Sequence, residues 1–299
     1  MTGLAKGYYP FEDAQERERL DGLLRRMAQF FCVQIGFHAY MGNHFHLVLE
    51  MLRLELSDSE VQLRWELYYA EAIARGKPRP DWSQPDAIKA ARKRMESLSS
   101  FLHDLKGQFA ADYNFRHERR GAFWSDRYAN TLLDAPALAA CARYVELNPL
   151  RAGIESQVGA SGRNSWHNFQ ATPQGQAGDL RAHSGFPLLL RALHPDDAEQ
   201  LSPAEQLELA LKTHANWQEH FAAEERRVAA EAAATQQERD ERHAAQVAVS
   251  RRRPWHQALA VGSRRLCQQQ AAAQGRPESD ILEIEPGLFG LFRRPRSRV

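Results

Sequence analysis

The 299-residue chain is short of several things, and each shortage narrows the reading. Its three cysteines, Cys32, Cys141 and Cys267, are an odd, widely spaced set without a CxxC pair. They offer no disulfide framework and read as reduced thiols. No run of about 18 apolar residues occurs, and the first ten residues, Met1 to Pro10, contain no apolar signal core. Neither a membrane span nor a secretory signal is supported, so a cytoplasmic location is expected. Net charge is almost absent as well, with 39 Lys plus Arg against 38 Asp plus Glu and a formal charge of +1. That balance excludes a uniformly basic coat. No fixed-period repeat stands out.

What is present is the composition of a soluble globular protein, 43% hydrophobic and 26% charged, long enough for about two domains. The charge is unevenly spread. Residues 251–299 hold ten arginines and four acids, a local balance of +6, so the remainder carries −5. A basic tail on a mildly acidic body keeps nucleic acid open as a partner, and a solubilising Arg-rich terminus explains it equally well.

From Phe11 to about Phe31, Leu20, Leu23, Leu24, Met27, Phe30 and Phe31 recur at helical spacing. Two alternating stretches follow, Val33 to Tyr40 and His44 to Glu50, separated by Met41-Gly42-Asn43. They predict a β-hairpin with Val33, Ile35, Phe37 and Ala39 on one face of its first strand and Phe45, Leu47 and Leu49 on one face of its second. On that pattern His38 and Tyr40 fall on the polar face. Residues 57–95 read as an insertion of helical pieces, broken at Gly76-Lys77-Pro78-Arg79-Pro80. A further helix is expected from about Met95 to Phe115 and a strand from Phe123 to Leu133. A helix capped by Asp134 then runs from near Pro136 to Asn148, where Pro149 stops it. This order predicts an α+β domain with helices on one face of a sheet. Residues 156–202 look like a loop-rich linker, and 203–299 like a mostly helical, partly disordered basic region.

Two local patterns carry chemistry. In His44-Phe45-His46 the imidazoles sit at i and i+2 of a strand and project from one face, the arrangement that a divalent metal needs, although a lone HxH also arises by chance. In Tyr144-Val145-Glu146-Leu147-Asn148-Pro149 the tyrosine and asparagine are i and i+4 neighbours on a helix. Either Tyr144 packs against the sheet and Asn148 merely ends the helix, or Asn148 adds an oxygen ligand beside the His pair and Tyr144 lies within reach of the group that a metal polarises.

Met41-Gly-Asn-His-Phe-His-Leu-Val-Leu-Glu50 resembles the His-hydrophobe-His motif of the HUH single-strand DNA endonucleases. Tyr144-Val-Glu-Leu-Asn-Pro-Leu-Arg-Ala-Gly-Ile154 is similar to the Tyr-x-x-x-Asn-Pro-x-Arg-Ala-Gly block of the single-tyrosine transposases, most of all the REP-associated group. Gly121-Ala-Phe-Trp-Ser-Asp-Arg-Tyr128 matches that family's aromatic segment. The resemblance covers about residues 11–155. It implies a ferredoxin-like antiparallel sheet in residues 1–155, with Tyr144 as nucleophile and His44, His46 and Asn148 as ligands of Mg²⁺ or Mn²⁺. It also implies cleavage and rejoining of single-stranded DNA at hairpin-forming repeats through a 5′-phosphotyrosine, by a monomer or a homodimer. Family members usually begin with a further strand, which this chain is expected to lack.

Arg116, Arg119, Arg120, Phe123, Trp124 and Arg127 interleave guanidinium groups with aromatics, the combination that follows phosphates and stacks unpaired bases. The alternative is that Phe123 and Trp124 belong to the core. Two rival functions stay open: a truncated or domesticated relative that binds structured DNA without cutting it, and a metal-dependent phosphoesterase of small molecules.

Overall fold

The computed structural model describes residues 2–3, 8–125, 128–170, 184–194, 200–233, 258–285 and 288–292. The fold is mixed α+β with two small sheets. In the first, strand β2 (Val33–Tyr40) and strand β3 (His44–Met51) form the antiparallel hairpin, and a two-residue strand β1 (Thr2–Gly3) pairs antiparallel with His44 and Phe45 on the far edge of β3. The sheet order is β1-β3-β2. A short first strand is therefore present where the sequence predicted none. Two residues without alternation give no readable strand signal.

The hairpin departs from simple alternation at Gly36, where a bulge shifts the register between Ile35 and Phe37. Glycine suits the site because a Cβ there would lie 2.9 Å from Leu188 Cδ2. The bulge flips the faces. Val33 and Ile35 join one core with Phe45, Leu47 and Leu49, whereas Phe37 and Ala39 join another with Val48. His38 and Tyr40 are consequently both buried on the first face, against Asp21, and not on a polar one. Because both faces of the hairpin are apolar, both are covered, and the expectation of helices on one face only is corrected.

On the first face lie helix α1 (Ala14–Ala28) and helix α5 (Leu98–Arg116), with Leu20, Leu24, Met27, Phe101 and Phe109 buried. Asp13 caps α1 by accepting the Gln15 N–H at 2.8 Å. The insertion forms helices α2 (Asp58–Tyr68), α3 (Ala70–Ala74) and α4 (Pro85–Met95), which extend the same core through Val61, Trp65, Ile88 and Met95.

The second face is covered by helix α6 (Ala135–Arg151), helix α8 (Phe186–Leu193) and helix α9 (Pro203–Ala233), with the short helix α7 (Ser165–Gln170) between them in sequence. Trp166, Trp217 and Phe221 fill this side, and the Trp217 ring lies 5.6 Å from that of Phe37. The supposed linker thus contains two helices, and its run Phe186-Pro-Leu-Leu-Leu190 is core. Surrounding Gly, Ser and Pro residues had concealed that run. Pro149 lies inside α6 and does not end it at Asn148. It comes within one turn of the helix end, where few later residues depend on the hydrogen bond that it cannot make.

Two further expectations are corrected. Among the described residues of the strand expected from Phe123 to Leu133, only Leu132–Leu133 form a strand, β4, and it belongs to the second sheet. That sheet, ordered β4-β5-β7-β6, contains β5 (Ala258–Gly262), β6 (Ile281–Glu285) and β7 (Leu288–Phe292), with helix α10 (Arg264–Ala273) packed on it. The region read as mostly helical therefore ends in a compact βαββ unit. Among the described residues, no helix is long and apolar enough to cross a membrane.

Candidate functional site

Strand β3 and helix α6 bring the His pair and the tyrosine together. His44 and His46 project to the same side, with ring centroids 5.2 Å apart and planes at 75°. They share that side with Val48, facing α6, while Phe45 and Leu47 point into the opposite core. The Tyr144 ring stands perpendicular to the ring of His46, with the centroids 6.5 Å apart.

His44 Nδ1 lies 2.8 Å from Asn43 Oδ1, an acceptor, and a neutral ring that donates from Nδ1 to it presents Nε2 to a metal. Asn148 donates Nδ2–H to the Tyr144 carbonyl at 2.9 Å, so the acceptor end of its amide is the one left to serve as a ligand. Two imidazoles and an amide oxygen are a donor set that Mn²⁺ accepts more readily than Mg²⁺, which takes oxygen ligands. Among the described residues, no group of three or more His, Cys, Asp or Glu side chains is placed to hold a metal.

Burial raises the Tyr144 phenol above its usual value, and the Arg151 guanidinium, 6.0 Å from the ring centroid, opposes that rise. Arg151 is itself held by Glu224 of α9, with Nε 2.6 Å from the carboxylate. Sequence reading nominated neither Arg151 nor Asn43. The available signal for the former was its place as the Arg of the Tyr-x-x-x-Asn-Pro-x-Arg-Ala-Gly block, seven residues and two turns from Tyr144 on one helix face. For Asn43 there was none, because a turn residue that also orients a ligand looks like any other turn residue.

Glu146, between the tyrosine and the asparagine, points the other way. Fully buried, it accepts the Ser165 hydroxyl and the Trp166 N–H, the latter at 3.1 Å, and its carboxyl is pushed up to about 8, chiefly by desolvation. It ties α6 to α7 and is a structural group.

Beyond the two residues of β1, the outer edge of β3 from His46 to Met51 borders a cavity of about 590 Å³. Leu138, Cys141 and Tyr144 of α6 form one wall, and Leu98 and Leu102 of α5 the opposite one.

The residues nominated for DNA contact divide differently. Phe123 is buried in the first core, and Trp124 packs against that core while donating Nε1–H to the Lys106 carbonyl at 2.9 Å. Arg116 makes a bidentate pair with buried Glu16 and also bonds Asp112. Arg119 stacks on Tyr8, its guanidinium carbon 3.7 Å from the ring centroid. Phe123 and Trp124 therefore pack with the core, and Arg116 and Arg119 have partners within the protein. Arg120 is exposed. Arg127 and the arginines at 251–253 and 293–298 lie outside the described residues.

No protein-family model matches the chain, and no curated protein or solved structure matches it.

Proposed function

We propose that this protein is a metal-dependent, single-tyrosine endonuclease and strand transferase acting on single-stranded or hairpin DNA, similar to the REP-associated transposases of the HUH superfamily. The observation that carries the reading is the meeting of Tyr144 with the His44–His46 pair across β3 and α6. The antiparallel order β1-β3-β2, with α1 joining β1 to β2, supports a ferredoxin-like arrangement around it.

In this reading His44, His46 and the Asn148 amide oxygen hold Mg²⁺ or Mn²⁺, which when bound supplies charge neutralisation and orientation at the scissile phosphate. Tyr144 provides the attacking oxygen. Its phenol proton must leave for attack, and Arg151 stabilises the phenolate form. The new bond joins Tyr144 Oη to phosphorus while the bond from phosphorus to the 3′-oxygen breaks; water takes up the phenol proton and returns one to the departing 3′-oxygen, leaving a 5′-phosphotyrosine and a free 3′-OH. Phenolate is a better leaving group than an alkoxide, because phenol has a pKa of about 10, so the 3′-OH of another strand end reverses the step without external energy.

The test is incubation with end-labelled hairpin oligonucleotides and Mn²⁺. A covalent protein–DNA adduct is expected from the wild type and none from Tyr144→Phe. An undiminished adduct in that variant overturns the assignment, and hairpin binding without cleavage under any divalent metal favours the binding-only relative. Turnover of small phosphodiesters that survives loss of Tyr144 would indicate the phosphoesterase.

A further inference from the structure

The C-terminal βαββ unit, more than a hundred residues downstream of Tyr144, is joined to the start of the tyrosine helix by four kinds of contact. Strand β4, which leads into α6, pairs in parallel with β5, Leu132 with Ala260 and Leu133 with Val261. Thr131 Oγ1 donates to the Ala258 carbonyl at 3.0 Å. Asp134, the N-cap residue of α6, does not turn its carboxylate onto its own helix. It accepts the Ser263 N–H at 2.7 Å, at the N-terminus of α10. Finally, Ala137 and Ala140 of α6 pack into a small core with Ala258, Val261, Leu288 and Phe292.

Two details make this junction specific. A Cβ on Gly262 would sit 2.2 Å from Asp134 Oδ1, so the carboxylate reaches Ser263 only because residue 262 has no side chain. Along α6, Ala137, Ala140, Tyr144 and Asn148 follow at three- and four-residue spacing on one stripe. The same helix face that meets the βαββ unit at its start meets the His pair at its middle. A shift or rotation of the helix start therefore moves Tyr144 relative to His46, because the helix between them is a rigid rod of little more than two turns.

We propose that residues 258–292 are part of the catalytic unit, and that Asp134 and Gly262 are positioning residues that set the place of Tyr144 through the start of α6. This rests on Tyr144 being the nucleophile. The unit adds no reacting group. It fixes the geometry in which attack occurs, so its loss acts on the chemical step and not on DNA affinity.

The experiment uses the full chain carrying Gly262→Val, Asp134→Ala or Asp134→Asn, with folding checked by circular dichroism. Two readouts are made: single-turnover adduct formation with a labelled hairpin, and hairpin affinity by fluorescence anisotropy. Gly262→Val and Asp134→Ala should slow adduct formation about tenfold or more, with affinity within roughly twofold of wild type. Asp134→Asn, which keeps an acceptor for Ser263, should recover most of the rate. Amide hydrogen exchange over 135–151 should quicken in the two disruptive variants. Wild-type rates in both folded variants, or a fall in affinity matching the fall in rate, overturn the proposal. If the wild type forms no adduct, the catalytic reading fails by itself; unchanged exchange over 135–151 in Gly262→Val then overturns the tether separately. Should Gly262→Val not fold, Thr131→Val, which removes only the bond to Ala258, is measured in its place with the same expected directions.

Discussion

The rings of His46 and Tyr144 stand at 89° to one another with centroids 6.5 Å apart, one carried by the central strand of a sheet and the other by the helix packed across it. Neither element places the pair alone. The contact exists because α6 covers the face of the hairpin from which the histidines project, and that face is apolar enough around them, through Phe37, Ala39 and Val48, to hold the helix down.

Asn43 orients His44, so Asn43→Ala should weaken Mn²⁺ binding by about tenfold while leaving the fold intact, and His44→Ala should weaken it more. Titration with Mn²⁺ followed by paramagnetic relaxation or calorimetry reads this directly. Equal affinity in Asn43→Ala and wild type would show that the turn asparagine has no part in the site.

The Tyr144 phenol is raised by burial and lowered by Arg151. In the proposed reaction phenolate is the attacking form, so adduct formation should climb with pH across the neutral and alkaline range. Arg151→Gln should move the climb to higher pH, because it removes the positive charge that favours phenolate. A rate–pH profile of the two proteins checks the direction; a shift to lower pH contradicts it.

Glu146 has a folded-state value of about 8 against the ordinary 4.5. The folded protein therefore binds the proton more tightly than the unfolded chain. Stability from this group is fullest below about 4.5, falls as pH rises towards 8, and is flat above. Glu146→Gln removes the ionisation, keeps an acceptor for the Trp166 N–H and turns an amide N–H towards the Ser165 hydroxyl, which can accept it. Its stability relative to wild type, read from melting curves, should be greater at pH 8.5 than at pH 5, by on the order of a few kcal/mol. Parallel melting curves at all pH values would refute this.

Arg116 is bound to buried Glu16, so its loss leaves that carboxylate in the core with the His117 ring, 3.3 Å away, in place of a bidentate guanidinium. Arg116→Ala should destabilise the protein by about 3 kcal/mol, and Arg116→Ala with Glu16→Ala should recover part of that, whereas exposed Arg120→Ala should leave stability unchanged. Urea denaturation of the three proteins distinguishes a structural arginine from one held ready for phosphate.

Elements with a strong local period were legible in the sequence: α1 from its leucine stripe, the hairpin from its alternation, α5 from Leu98, Phe101, Leu102, Leu105 and Phe109. The candidate site was legible for the same reason, since i, i+2 on a strand and i, i+4 on a helix fix which side chains share a face. Other features depended on partners distant in the chain. Alternation cannot announce that Gly36 bulges, because the bulge is fixed by what packs on each face, and so His38 and Tyr40 went to the wrong side. Phe123 and Arg116 have the composition of a DNA-binding loop, and only the position of Glu16 and of the first core turns them inward.

What the sequence by itself determined is local: the chain's near-neutral charge, its reduced cysteines, the faces of its regular elements, and the spacing that puts two histidines on one strand face and a tyrosine and asparagine on one helix face. The tertiary structure decided which of those faces meet. It set Tyr144 against His46, buried Glu146, and brought Asp134 to Ser263 across 129 residues of chain. Faces follow from backbone periodicity, which each segment carries within itself. Their meeting follows from burial and hydrogen-bond satisfaction, which are properties of the whole folded chain.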